Sequence, residues 1–166
     1  MFERLVIGVD PGMASTGLAA VRAEGVTRSI VFATTIRTPA GDPEAERVLT
    51  LHRAVEQAIE EHRPESVAIE SLMWGKNAGS AMAVARASGV VLLAAAERGI
   101  RVHEYAPLEV KMAVTGNGAA AKQDVRRALE RLHGLVDVPT QPDAADAVAV
   151  AMCHLQQSPA LREAVH

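Results

Sequence analysis

Along the chain, short β-branched runs alternate with stretches whose apolar residues recur at helical spacing. LVIGVD (5–10) is continuous and apolar and ends on Asp10 before Pro11-Gly12, a strand running into a turn. STGLAAVRAEG (15–25) and TRSIVFATTIRT (27–38) read as two more strands, connected closely enough for an antiparallel meander. Over 43–63, Val48, Leu51, Val55 and Ile59 mark a helix, with Asp42 as its cap before a first-turn proline and Pro64 as its stop. ESVAIE (65–70) is a short strand that ends on a second acid, Glu70. A loop (71–79), a helix (80–98) closed by Gly99, and a strand (100–105) follow. The remainder reads as a short helix (107–114), a glycine loop (115–120), a helix (122–133), a connector (134–141) and a last helix (142–156).

Three leading strands followed by alternating helices and strands predict an α/β fold with a mixed five-stranded sheet flanked by helices. Repeats and long linkers are absent, so 1–157 is expected to be one domain, with 158–166 a frayed tail. If the strands ending at Asp10 and Glu70 are parallel neighbours, both acids lie on one rim, where open sheets keep their ligand sites.

Composition narrows the class. At 166 residues, nearly half apolar, the chain is long enough for a full core, and the single Cys153 excludes an intramolecular disulfide and a cysteine-built zinc site. A reducing cytoplasm is therefore expected, with no membrane association, since the longest apolar run, 89–96, is far below the ~20 residues of a membrane span. Net charge is −3, which does not announce a nucleic-acid binder. Over 122–131, however, Lys122, Arg126, Arg127 and Arg131 face only Asp124 and Glu130, leaving room for a local basic face.

The last helix opens oddly. In PDAADAVAVAM (142–152), Asp143 and Asp146 share one face at the head of a run that wants to be buried. Alone, the pair is better explained as acids favoured by a helix N-terminus, by roughly 0.3–1 kcal/mol each. Together with Asp10 and Glu70 it would make a cluster that repels itself unless a cation sits among them. Oxygen ligands without a His or Cys pattern suit Mg²⁺ or Mn²⁺, and two such ions can serve phosphoryl-transfer chemistry. Other chemistries fit poorly. GNGAAAK (116–122) lacks the spacing of a P-loop, His103-Glu104 has no second His, and no Ser-His-Asp elbow is present.

GVDPGMASTG (8–17), AIESLMWGKNAGSA (68–81), YAPLEVKMAVTGNGAAAKQDV (105–125) and QPDAADAVAVAMCH (141–154) resemble, in order and spacing, the RuvC-type crossover junction endodeoxyribonucleases. The resemblance implies a ribonuclease-H-like fold and a homodimer that resolves four-way Holliday junctions in recombination and repair by paired symmetric nicks. It implies Asp10, Glu70, Asp143 and Asp146 as catalytic metal ligands, with two Mg²⁺ ions that Mn²⁺ can replace. Lys122 falls on a catalytic basic position near the scissile phosphate, and Lys111 on another basic position there. Met73, with Trp74 beside it, stands where the family often has a base-stacking Phe, and either could wedge into a base step. Lys76 and Arg126 complete the expected nucleic-acid contacts, and a branch-migration helicase complex is the implied partner. Small residues Ala81, Ala85, Ser88 and Gly89 recur along helix 80–98 and would permit close helix–helix approach in a dimer, although packing against the sheet explains them too. The rival readings are a catalytically silent junction-binding protein and an RNA-processing nuclease of the same fold.

Overall fold

The computed structural model describes residues 3–72 and 78–157. Its strands are β1 (Glu3–Asp10), β2 (Ser15–Glu24), β3 (Thr27–Arg37), β4 (Ser66–Glu70) and β5 (Arg101–Tyr105). Its helices are α1 (Glu44–His62), α2 (Ala78–Glu97), α3 (Pro107–Thr115), α4 (Lys122–Arg131) and α5 (Pro142–Gln157). The sheet order is β3-β2-β1-β4-β5. β1, β2 and β3 form the antiparallel meander, and β1, β4 and β5 run parallel. This is the mixed five-stranded sheet that the patterning predicts.

Strand alternation sends successive side chains to opposite faces of the sheet, and each face has its own core. Leu5, Ile7, Val9, Val67 and Ile69 pack with Leu51, Val55 and Ile59 of α1 and Val91, Ala94 and Ala95 of α2. Val6, Ala19, Val21 and Ala68 pack on the opposite side with α3, α4 and α5. α5 is the most enclosed helix, for Ala144 and every residue from Ala147 to Leu155 are buried. Burying Val148, Val150, Met152 and Leu155 contributes about 1.5–3 kcal/mol each, which fixes α5 against the sheet.

Two strand glycines set how close that approach is. A Cβ at Gly8 would overlap the Ala147 carbonyl, and one at Gly17 would overlap the Asp143 carbonyl. Glycine inside a strand commonly marks such close backbone approach.

Two details differ from the sequence reading. α1 begins at Glu44 with Pro43 in the cap position and no side-chain cap. Asp42 therefore does not cap it; the Pro43 carbonyl instead accepts from the Glu46 and Arg47 amides at 3.0 and 3.1 Å. α2 begins two residues earlier than expected and, by length and composition alone, could cross a membrane, although its longest unbroken apolar run is short. Core helices pass the same test, and α2 rests one side on the sheet while Met82, Leu92 and Leu93 stay 56%, 40% and 53% exposed. Ion pairs join this part of the chain to α1, from Arg86 of α2 to Glu44 at 2.5 Å and from Arg98, just past α2, to Glu56 at 2.8 Å; pairs so open to solvent add little stability.

Candidate metal and nucleic-acid site

β1 and β4 are adjacent and parallel, and each continues one residue past the Val9–Ile69 pair into an acid. Asp10 and Glu70 are therefore neighbours on one rim of the sheet. After Asp10 the chain turns at Pro11-Gly12, and Thr16 closes the turn by accepting from the Gly12 amide (3.3 Å) and donating to the Gly12 carbonyl (2.5 Å). The Thr38 hydroxyl donates to the Met13 carbonyl, and Arg47 Nε donates to Thr38 Oγ1 at 3.1 Å. The segment that follows Asp10 is thus braced from β3 and α1.

α5 brings the other two acids. Because Gly8 and Gly17 let it sit tightly on β1 and β2, its first turn reaches the same rim. One carboxylate oxygen from each of Asp10, Asp143 and Asp146 lies within 4.8 Å of the others. Glu70 lines a recess of about 260 Å³ with Asp10, Asp146, Lys111 and Lys122. The four predicted acids and two of the three predicted lysines, Lys111 and Lys122, are therefore brought to one place.

The electrostatics record the crowding. Burial, reinforced by Glu70, Asp146 and Asp143, raises the Asp10 carboxyl to about 7, with Lys122 opposing. Glu70 is also raised, first by burial and then by Asp146, with Lys122 and Lys111 opposing. Lys122, the first residue of α4, donates from Nζ to Asp146 Oδ2 at 2.5 Å, which raises its own pKa. One ammonium in direct contact does not balance four acids. The donor set is all hard oxygen, and a divalent cation among Asp10, Asp143 and Asp146 would offset the burial and the repulsion that raise the Asp10 carboxyl.

Arg126 is placed differently from the sequence expectation. Its guanidinium donates to the Pro139 carbonyl at 2.8 Å, the Val138 carbonyl at 3.1 Å and Glu130 Oε1 at 3.2 Å. It thereby ties α4 to the connector that delivers α5, with three of its N–H groups on protein acceptors. Met73, Trp74 and Lys76 lie outside the described residues, as does the tail 158–166.

Sequence reasoning missed Ser15, whose hydroxyl donates to Asp143 Oδ2. Nothing local marks it, because its partner is 128 positions away. Gly8 and Gly17 did carry a signal, as glycines inside otherwise apolar strands.

With this geometry in place, the comparisons with known proteins are specific. A family profile described as "Crossover junction endodeoxyribonuclease RuvC" matches residues 6–154. A protein of that description from Moorella thermoacetica is 46% identical over 156 residues, 93% of each chain. One from Mycolicibacterium vanbaalenii is 45% identical over 158 residues, covering 94% of this chain and 81% of the other. Among solved structures, the chain is similar to the Thermus thermophilus RuvC in complex with a Holliday junction substrate. There the TM-score is 0.86 and the identity 34%, over 92% of this chain and 93% of that one. The yeast mitochondrial Holliday junction resolvase Ydc2 superposes with a TM-score of 0.71 at 10% identity, over 95% of this chain and 80% of that one, a likeness of fold.

Proposed function

This chain belongs to the RuvC family of crossover junction endodeoxyribonucleases, and on that premise we propose that it resolves four-way DNA junctions with divalent cations held by Asp10, Glu70, Asp143 and Asp146. It is a nuclease acting on DNA in recombination and repair. The observation that carries the metal reading is the meeting, at one rim, of carboxylates that start 133 positions apart in sequence, Asp10 and Asp143, with Asp146 beside them.

When bound, Mg²⁺ or Mn²⁺ supplies the water activation and charge neutralisation that two-metal sites bring to phosphodiester hydrolysis. The protein supplies the geometry. Asp10 ends the central strand, where the backbone is stiffest, and would be one of the residues that hold the cations. Glu70 and the Asp143/Asp146 pair complete the set. Lys122 holds Asp146 in the metal-free protein and is positioned to exchange that acid for a substrate phosphate, countering charge that builds there. Lys111, beside Glu70, is a second phosphate contact. Met73, Trp74 and Lys76 are proposed junction contacts on the strength of their sequence positions alone.

A second copy of the chain is the proposed partner, since two sites related by a twofold axis match the symmetry of a junction. Met82, Leu92 and Leu93 of α2 support this reading by leaving an apolar face open, and Gly89 has free space above it. Ala85 is exposed and Ser88 half-buried on that helix, whereas Ala81 turns into the core. A branch-migration helicase complex and a cytoplasmic setting complete the proposal; a lone, buried Cys153 suits a reducing compartment.

The test is Mg²⁺-dependent cleavage of a four-way DNA junction, a linear DNA duplex and a structured RNA, with wild type and Asp146→Asn side by side. Symmetric nicks in the DNA junction alone, lost in the variant while junction binding persists, are expected. Preferential RNA cleavage would indicate the RNA-processing rival. Junction binding without cleavage at any Mg²⁺ or Mn²⁺ concentration would indicate a silent scaffold.

A further inference from the structure

The two acids of α5 have different kinds of partner. Asp146 meets the Lys122 ammonium, a charge that competes for the oxygen a cation would take. Asp143 meets the Ser15 hydroxyl, which donates to Oδ2. A neutral donor on one carboxylate oxygen can stay in place when the other oxygen takes a cation. It also fixes the rotation of the carboxylate, which is otherwise a soft torsion.

Ser15 is itself well held. It opens β2 and pairs with Arg37 of β3. The residues just before it are pinned by hydrogen bonds from the Thr38 amide to the Ala14 carbonyl (3.1 Å) and from the Thr38 hydroxyl to the Met13 carbonyl. Two positions along, Gly17 lies against the Asp143 backbone, with no room there for a Cβ. β2 therefore grips Asp143 twice, by main chain at Gly17 and by side chain at Ser15.

From this geometry we propose that Ser15 is a positioning residue of the metal centre. Its hydroxyl sets the Asp143 carboxylate so that one oxygen is presented toward Asp10 and Asp146, and the cation affinity of the site depends on it. The proposal rests on the metal-centre reading above. Losing a group that orients a metal ligand typically costs about 10–100-fold in metal affinity or activity.

The decisive comparison is Ser15→Val against Ser15→Thr. Both place a β-branched side chain in a strand, which suits it, and they differ only by a hydroxyl. Mn²⁺ is titrated into the metal-free, full-length chain, with free Mn²⁺ counted by electron paramagnetic resonance. The Val variant is expected to bind Mn²⁺ about 10-fold more weakly and the Thr variant within about twofold of wild type. In junction cleavage the half-saturating Mn²⁺ concentration should rise in the Val variant, while the rate at saturating metal recovers. Urea midpoints in EDTA report folding separately. If the Val variant fails to fold, Ser15→Ala against Ser15→Thr carries the same comparison. Wild-type Mn²⁺ affinity in the variant lacking the hydroxyl overturns the proposal, as does equal weakening in the Thr variant. Wild-type protein that takes up no Mn²⁺ would overturn the metal-centre reading itself.

Discussion

Replacing Asp10 with Asn should make the metal-free protein more stable while destroying its proposed metal centre. The Asp10 carboxyl, buried and facing Glu70, Asp146 and Asp143, is raised from 3.8 to about 7. In the unfolded chain that environment is gone and the ordinary value returns. Between the two values the folded state holds a proton that the unfolded state has released. Stability therefore falls as pH rises through this window and is lowest above pH 7. A difference of about 3 pH units, at ~1.36 kcal/mol each, amounts to roughly 4 kcal/mol. Asn has the shape of the protonated acid and cannot ionise. Wild type and Asp10→Asn should thus be nearly equal at about pH 4, and the variant should lead by up to ~4 kcal/mol at pH 8, or about 10 °C in Tm for a chain of this size. Urea denaturation followed by circular dichroism, in EDTA at both pH values, measures the gap. Adding Mn²⁺ at pH 8 should then stabilise wild type far more than the variant, because only a ligand bound to the native state shifts the equilibrium. A gap that is absent at pH 8, or the same at both pH values, would refute the premise that these carboxylates converge without relief until a cation arrives.

Lys122→Ala frees Asp146, so Mn²⁺ uptake without DNA should tighten several-fold; junction cleavage should nonetheless slow about 10²-fold, as when an oxyanion-stabilising donor is lost. Unchanged Mn²⁺ affinity, measured by calorimetry, would show that the Lys122–Asp146 pair does not guard the site. Gly17→Ala drives a Cβ into the Asp143 carbonyl, which, being backbone, cannot swing aside; a loss of about 1–3 kcal/mol in urea denaturation and weaker cleavage than binding are expected. At the far end of α5, the buried His154 shares one hydrogen bond with the Tyr105 hydroxyl through Nδ1 (2.6 Å) and another with the Ser66 hydroxyl through Nε2 (2.9 Å). Burial first, then His103 and Arg4, push its pKa down to about 4, with Glu65 opposing. The unfolded chain takes up this proton first, so the imidazole's contribution is complete above about pH 6.5 and is lost as pH falls toward 4. Asp10 works in the opposite sense over the same range, so the slope should emerge in Asp10→Asn and shrink in the double variant with His154→Gln; an equal slope in both would remove His154 as its source.

Particular residues show where sequence reasoning reached and where it stopped. The strands ending at Asp10 and Glu70 were legible because an apolar β-branched run interrupted by an acid and a turn is a local pattern. The Asp143/Asp146 pair was legible because helical spacing places i and i+3 on one face. Arg126 was read from its charge as a nucleic-acid contact. Its i+4 partner Glu130 is readable from helical spacing, but its two acceptors in the connector, the Val138 and Pro139 carbonyls, could not be anticipated, since such partners are chosen by packing. Asp42 was misread as a cap because its residue type favours that position, whereas Pro43 supplied the backbone conformation.

Periodicity, turn residues and chain order determined the element sequence, the mixed sheet and the identity of the acids, all of which depend on neighbours within a few residues. Which acids share one cation-sized space was decided by tertiary structure, through the parallel pairing of β1 with β4 and the close seating of α5 over Gly8 and Gly17. The Ser15–Asp143 hydrogen bond and the raised carboxyl of Asp10 belong to the same level. Each is a property of groups that meet only after folding, in a partly dehydrated rim where short distance and low polarity make charges and hydroxyls matter that would be unremarked along an extended chain.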